Sequence, residues 1–495
     1  MDIDKLELRA NVRPADWRNP TPREPYHLLV IGAGPAGLVA ARGAAALGAR
    51  VALIERHLLG GDCLNHGCVP SKTLIRSARL YADMRNAENF GVRPPPDIEV
   101  DFALAMQRMR RIRTRISRVD SAARLTAEGI DVFFGTARFV SGDTVAVDGT
   151  RLRFKKAMIA TGSRALLPTI PGLAEAGYLS NETVFDLTEL PKSLLVIGGG
   201  PLGCELAQVF CRFGSRTVIA HNQPLFLPRE ERDAAQMVSD GLARDGVEIH
   251  LNTTVTNVRV EGGQKCIETI NDGNVTTITV DQILTGIGRV PAVDGLNLEA
   301  AGVAYDAVSG IQVDDFLRTT NPRIFAAGDV CLEHKFTDTA DASARIVVRN
   351  ALFMGRQRLS ELTIPWCTYT DPEIAHVGIY VKQARERGIP VKSFTVPMHD
   401  VDRAIADGEE EGFVKIHVRE GTDKILGATI VARHAGDMIN AITLAMVTGI
   451  GLATFTRVIH TYPTQAEAIK QAADAYLRTR LTPWIARLLR WWVRR

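Results

Sequence analysis

HLLVIGAGPAGLVAARGAAALGARVALIERHLLGGDCLNHGCVPSK, residues 27–72, is the stretch on which the fold of this chain turns. Residues 27–31 are an apolar run that reads as a short strand. GAGPAG follows, with Gly32, Gly34 and Gly37, and then an alanine-rich stretch that predicts a helix to about Leu47. A second strand over residues 50–54 ends at Glu55. A glycine turn between strand and helix lets the backbone approach a pyrophosphate at the helix N-terminus, and an acid about twenty residues on holds ribose hydroxyls. A glycine string alone is weak; with strand, helix and acid in place it specifies a dinucleotide-binding unit.

The same stretch closes with GGDCLNHGCVPSK (residues 60–72), in which Cys63 and Cys68 stand five positions apart. Two such thiols close a small ring that opens and shuts without rearranging the fold, and Lys72 is placed to favour a thiolate electrostatically. Static disulfides are rare in a reducing compartment. No second Cys pair or His pair has the spacing to complete a zinc tetrahedron, so no metal site is expected. The pair reads as redox chemistry. The other five cysteines follow no repeating framework, and Cys204 and Cys211, which would share a helix face, are expected in the core as small apolar side chains.

A second copy of the unit begins at SLLVIGGGPLGCELAQVF: a strand to Ile197, glycines Gly198, Gly200 and Gly203, a helix carrying Glu205, and a strand over residues 216–220. Where the first copy has an acid, this one has His221. Two units imply two nucleotides, one a fixed flavin and the other a travelling nicotinamide. An acid at that place rejects a 2′-phosphate, so His221, with Arg216 in the same strand, predicts a preference for NADPH over NADH. Two further turns bring backbone or carboxylate towards a cofactor. ATGSRA (residues 160–165) supplies Thr161 and Gly162 after a strand, and NPRIFAAGDV (residues 321–330) supplies Gly328 and Asp329, whose carboxylate suits a polyol.

The 495 residues exceed what one core of about 250–300 residues fills. A net charge of +3 gives no reason to expect nucleic acid as a partner. MDIDKLELRANVRPADW has no charged-then-apolar leader, so a cytoplasmic protein is expected, and NPTPREP (residues 19–25) reads as an extended arm. A loop with Pro94, Pro95 and Pro96 precedes RMRRIRTRISR (residues 108–118), which reads as solvated helix surface. The uncharged run from Met438 to Thr456 approaches a membrane span in length, yet its Asn440, threonines and glycines favour a pair of buried helices. The end, RTRLTPWIARLLRWWVRR (residues 478–495), holds six arginines, three tryptophans and no acid. Such a tail suits an anionic membrane surface, at the inner face for a cytoplasmic protein, or an acidic partner, with packing onto its own dimer as the competing account.

Taken with the GRVP turn (residues 288–291), these motifs make residues 27–478 resemble the FAD-dependent pyridine nucleotide-disulfide oxidoreductases, the group of dihydrolipoamide dehydrogenase, glutathione reductase and mercuric reductase. ELAQVF, GRVP and Tyr462 look most like the mercuric reductase branch. The resemblance implies an α/β fold with two Rossmann-like units, for FAD and NAD(P), and a C-terminal α+β dimerisation domain. The implied boundaries are an N-terminal extension (1–25), FAD-binding segments (26–168 and 293–363), an NAD(P)-binding domain (169–292), a dimerisation domain (364–478) and the basic tail (479–495). It further implies a homodimer, with Cys68 as the flavin-side thiol and Cys63 as the thiol that attacks the acceptor. Lys72 would pair with Glu205 beside the flavin, Asp329 would hold the ribityl chain, and Gly61 and Arg289 would line the cofactor.

Three departures shape the expected function. The group places a His before Pro-Thr near the C-terminus, with a Glu five positions later, as an acid–base dyad from the partner subunit; here Tyr462 takes the His position, Glu467 remains, and His460 comes two residues early. A phenol of unperturbed pKa about 10 shuttles protons poorly near neutrality, whereas imidazole at about 6.5 does so well. Soft Hg(II) needs two thiolates for capture and hand-off, and only Cys63 and Cys68 are offered. Asp62 precedes the first thiol, and His66 lies between the pair where relatives usually have small or apolar residues; His66 reads either as a replacement for the missing acid–base group or as a solvent-facing or hydrogen-bonded loop histidine. The expected activity is NAD(P)H-driven reduction of a small disulfide or a soft metal ion. The alternatives are a dihydrolipoamide dehydrogenase-type enzyme or a membrane-recruited redox sensor or partner-binding subunit.

Overall fold

A computed structural model describes residues 3–23, 25–94 and 98–494; Pro95 and Pro96 of the proline loop, Glu24 of the arm and Arg495 lie outside the described residues. The first sheet is built on parallel strands Ile130–Phe134, Val51–Glu55, Tyr26–Ile31 and Thr150–Ile159, in that order, with Ile324–Ala326 also pairing with Thr150–Ile159. Both faces are covered, which is why VALIE is buried at every position and reads as an unbroken apolar run. Register places Ile31 beside Ile54 and Ile159, and Ile159 beside Ala326. The segments that follow those residues, starting at Gly32, Glu55, Ala160 and Ala327, therefore meet at one edge.

The second sheet repeats the plan with parallel strands Glu248–His250, Arg216–Ala220, Ser193–Ile197 and Gln282–Thr285. An antiparallel sheet of Thr253–Glu261, Gln264–Asn271 and Asn274–Val280 adjoins it. The C-terminal region is an antiparallel sheet in the order Pro365–Thr368, Glu373–Gly378, Ile425–Ala432, Phe413–Arg419, Val391–Pro397, and shares a core with helices Ala435–Thr448 and Glu467–Arg480. The expected fold class is the one observed.

Two expectations need correction, and the N-terminal segment adds an element that no expectation covered. The N-terminal segment forms a docked helix, Ile3–Val12, with Leu8 and Val12 buried in the first core. Beyond it, Asn19 exchanges two hydrogen bonds of 2.8 Å with the backbone of Phe134, and Arg23 pairs with Asp131 at 2.6 Å. Two apolar residues one helical turn apart are too few to announce an amphipathic helix in a polar stretch. The basic stretch is also more than solvated surface. In helix Phe102–Ser117, Arg113 is buried and donates to Asn65 O at 2.9 Å, while Arg108 donates to Thr73 O at 3.2 Å.

The uncharged run is one helix, Ala435–Thr448, and a 3-10 turn, Leu452–Arg457. Met438, Ile439, Ile442 and Ala445 enter the core, whereas Leu444, Val447, Ile450, Val458 and Ile459 are exposed. The buried pair is thus a half-buried helix whose other apolar face lies open. Among the described residues no helix is long and apolar enough to cross a membrane.

Candidate active site

The two glycine turns face a common cleft of about 3390 Å³. In the first, Gly32 has φ +100° and an added Cβ would stand 2.4 Å from Ala160 O; on Gly37 it would stand 1.8 Å from Gly32 O. Gly61, at φ +58°, approaches so closely that its Cβ would lie 2.6 Å from the Gly34 Cα. These positions require backbone against backbone, and only glycine permits it. Glu55 accepts from Ala33 N at 2.8 Å and His57 N at 2.7 Å, which fixes the carboxylate at the end of its strand. Gly32, Gly34, Glu55, Gly61, Thr161, Gly162, Gly328 and Asp329 all line the cleft, while Gly37 closes helix onto strand behind it.

Asp329 accepts from Ser163 Oγ at 2.6 Å, and burial raises its pKa. Arg289 donates to that hydroxyl at 2.7 Å and lies 3.2 Å from Asp62, whose other oxygen accepts from Asn181 at 2.9 Å. Asp62, the oddity of the redox loop, is thereby charge-matched.

Cys63 lies in the middle of the short helix Gly61–Asn65 and lines the cleft, and Cys68 begins the helix Cys68–Arg85, which also carries Lys72. Both thiols are free. Thr337 Oγ1 stands 3.4 Å from Cys68 Sγ. The neighbouring Cys63 thiol, then Thr337 and the Lys72 charge, hold Cys68 below the usual thiol range against the effect of burial; Cys63 is pushed the other way by Cys68 and by burial.

Lys72 Nζ donates to Glu205 Oε2 at 2.7 Å, and Glu205 is only 3% exposed. Burial opposes the Lys72 charge, but Glu205 outweighs it and its pKa is raised. The second Glu205 oxygen accepts from Tyr369 N at 2.9 Å, and the Tyr369 ring lies 4.7 Å from Lys72 Nζ. His66 lines the cleft half-buried; burial lowers its pKa against the pull of Asp62 and Glu182, leaving a neutral imidazole.

In the second turn an added Cβ would stand 2.5 Å from Gly286 O at Gly198 and 2.3 Å from Gly198 O at Gly203, while Gly200 has room. His221 is buried, its Nδ1 accepts from Gly199 N at 3.3 Å, and burial lowers its pKa. Arg216, expected nearby, is at the opposite end of its strand and bonds Glu248 at 3.0 Å. Ligands lie beyond the carboxyl ends of strands, so Arg216 drops out as a phosphate contact.

His460, Tyr462 and Glu467 do not join the cleft within one chain. The Tyr462 hydroxyl donates to Asp402 at 2.9 Å, its side chain is 65% exposed, and the carboxylate raises its pKa. The His460 ring instead turns towards Phe455, 6.4 Å between centroids, because bends at 458 and 462–463 break the strand-like alternation that would have aimed it with Tyr462.

The family model described as pyridine nucleotide-disulphide oxidoreductase matches residues 26–346, and its dimerisation domain matches residues 364–473. The chain belongs to this family. It is 33% identical over 471 residues to a mercuric reductase of Bacillus cereus, covering 95% of this chain and 74% of that protein. It is 33% identical to a dihydrolipoyl dehydrogenase of Geobacillus stearothermophilus, covering 91% and 96%. The solved Cu(II) complex of the HOCl-induced flavoprotein disulfide reductase RclA from Escherichia coli superposes with a TM-score of 0.81 at 31% identity, covering 90% and 99%. The family's enzymes depend on FAD and use NAD(P)H. The residues fit both groups: glycine turns without room for a side chain, Glu55 fixed at the end of its strand, and Asp329 and Lys72 at the cleft wall. The dimerisation domain supports a homodimer, and the open apolar face of residues 444–459 gives a second copy something to cover.

Sequence reasoning missed Thr337, Tyr369, Ser163 and Asn181. Thr337 starts helix Thr337–Leu352, and Tyr369 follows strand Pro365–Thr368. Each meets its partner across more than a hundred residues of chain, and no local pattern announces such a meeting.

Proposed function

We propose that the chain takes electrons from NAD(P)H and passes them through Cys63 and Cys68 to a small disulfide or a soft metal ion. The observation that carries this reading is the polarised thiol pair: Cys68 is held towards thiolate by Cys63, Thr337 and Lys72, on the wall of the cleft that both glycine turns face. FAD, when bound, supplies the two-electron relay between nicotinamide and thiols.

In the reduced pair the proton rests on Cys63 and the negative charge on Cys68. After losing that proton, Cys63 attacks one sulfur of a disulfide acceptor, forming a mixed disulfide and expelling one thiolate. Cys68 then attacks the Cys63 sulfur, expels the second half of the mixed disulfide as a thiol or thiolate, and closes the Cys63–Cys68 bond; one hydride equivalent from NAD(P)H reopens it. With a soft metal ion the two sulfurs act as ligands. Lys72, paired with Glu205, is a fixed positive charge beside Cys68 throughout. Tyr462, exposed and outside this chain's own cleft, and Glu467 serve the second copy's thiols, with the phenol as the slower proton donor. His66, neutral on the cleft wall, is the alternative acceptor for the Cys63 proton. NADPH is the preferred coenzyme, because a neutral imidazole at position 221 presents no charge to repel a 2′-phosphate.

An acceptor screen following NAD(P)H absorbance tests the proposal, with lipoamide, small neutral and charged disulfides, Hg(II) and Cu(II). Sustained oxidation of NADPH with at least one is expected. Reduction of the thiols followed by no turnover with any of them would overturn it in favour of a sensor. Brisk lipoamide turnover with NADH or NAD⁺ would favour the dihydrolipoamide dehydrogenase-type alternative.

A further inference from the structure

The C-terminal helix Pro483–Val493 begins at Thr482, whose hydroxyl accepts from Ile485 N at 3.4 Å, and it buries no residue at all. Its sequence nevertheless has two faces. Arg487, Arg490 and Arg494 recur at intervals of three and four and form one stripe, while Trp484, Leu488, Trp491 and Trp492 recur at i, i+4, i+7 and i+8 on another. Trp484 is 69% exposed and Trp492 72%, and exposed Leu477 and Leu481 extend the apolar surface into the preceding turn. A contiguous apolar face of this kind marks an interaction site.

Charge identifies the partner. Arg478, Arg480, Arg487, Arg490 and Arg494 have no carboxylate within salt-bridge distance among the described residues, and residues 478–495 contain no acid. The helix is too short to span a bilayer. A short helix with arginines on one face and tryptophans on the other lies in the plane of a lipid surface, its rings at headgroup depth and its cations on anionic phosphates.

We infer that this helix seats the enzyme on an anionic membrane, two helices per dimer. Two linked contacts hold far better than one, since the second forms at high effective concentration. The reductase then works beside a lipid surface while its cleft stays in water.

Co-sedimentation of the FAD-loaded, full-length dimer tests this, using vesicles of phosphatidylcholine alone or mixed with phosphatidylglycerol. The bound fraction should be about tenfold or more greater on the anionic vesicles, fall at high salt, and come with a blue shift of tryptophan fluorescence. A chain ending at Leu481 should stay dimeric, keep its NADPH oxidation rate and lose vesicle binding; the triple variant R487Q/R490Q/R494Q should lose the preference for anionic lipid. Equal sedimentation of full-length and shortened chains would overturn the inference, as would no binding to anionic vesicles at low salt. A shortened chain that falls to monomers would also overturn it, since the helix would then be packing on the second copy.

Discussion

The two glycine turns are near-copies in backbone and differ in the side chain that caps them, Glu55 in one and His221 in the other. Gly32 N donates to Ile54 O at 2.8 Å and Gly198 N to Ala220 O at 2.9 Å; Ala160 N donates to Ile31 O and Gly286 N to Ile197 O, both at 2.8 Å. In the first turn the second amide, of Ala33, is taken by the Glu55 carboxylate at 2.8 Å; in the second the equivalent amide, of Gly199, goes to the His221 imidazole at 3.3 Å. The same donor serves an anion in one unit and a neutral ring in the other. What differs between the sites is therefore the charge offered to the bound nucleotide, since the turn itself is the same.

The comparison breaks most visibly at its shared glycines. Gly37→Val forces a side chain where a Cβ already lies 1.8 Å from a carbonyl oxygen, and overpacking of this kind costs about 1–3 kcal/mol or more. The purified protein should be colourless or fail to fold. Gly203→Val puts the same strain into the second unit, so that protein should stay yellow while NADPH oxidation falls below detection. Visible absorbance beside turnover checks the pair, and a colourless Gly203→Val with a yellow Gly37→Val would reverse the assignment of the two units.

Only the first unit carries the thiols, which sharpens the contrast. Cys68→Ala should abolish acceptor turnover by about a thousandfold or more, as loss of a nucleophile does, and remove the long-wavelength absorbance of the two-electron-reduced enzyme, while coenzyme affinity stays unchanged. If Cys63→Ala removes that band and Cys68→Ala keeps it, the roles are exchanged. In the wild type the band should survive acidification past the range where an ordinary thiol, at about 8.5, is protonated, because the thiolate is stabilised, and be lost as pH falls through the lower Cys68 value. Lys72→Met should move that loss to higher pH.

Neither turn contains the feature expected to choose the acceptor. Tyr462→His should raise turnover with small disulfides by about a hundredfold, the lower end of what a matched proton donor contributes. Vigorous lipoamide reduction by the wild type, untouched in Tyr462→Phe, would remove the phenol from the account.

The smallest change bears on the side chain that caps the second turn. His221→Glu should shift the ratio of kcat/KM for NADPH over NADH by about tenfold towards NADH, a difference of about 1.4 kcal/mol. A wild type that already prefers NADH would show that the missing carboxylate has no bearing on the choice.

Both turns, the thiol loop and the order of the three regions were legible in the sequence because each depends on local rules: apolar runs for buried parallel strands, glycine where backbones touch, cysteines at close spacing. The Lys72–Glu205 pair was reachable only through the family resemblance, as 133 residues separate the partners. Thr337, Tyr369 and Asn181 carry no periodic mark. Arg216 misled because the two ends of a strand are adjacent in sequence but roughly 13 Å apart in space for a strand of that length. Arg113 misled because an arginine in a basic run can still be buried when a carbonyl is there to receive it, as the Asn65 carbonyl is.

Glu205 also has a mechanical meaning. It belongs to the helix of the second unit, one of its oxygens holds Lys72 of the first, and the other holds the backbone of Tyr369 in the C-terminal region. One carboxylate is thus a pin through three bodies. Swinging the second unit away would strand a nearly enclosed anion, and breaking such a pair from one side costs about 3–5 kcal/mol. The walls of the cleft are accordingly tied to one another as the chain folds, so its shape does not wait for a ligand to draw the three regions together.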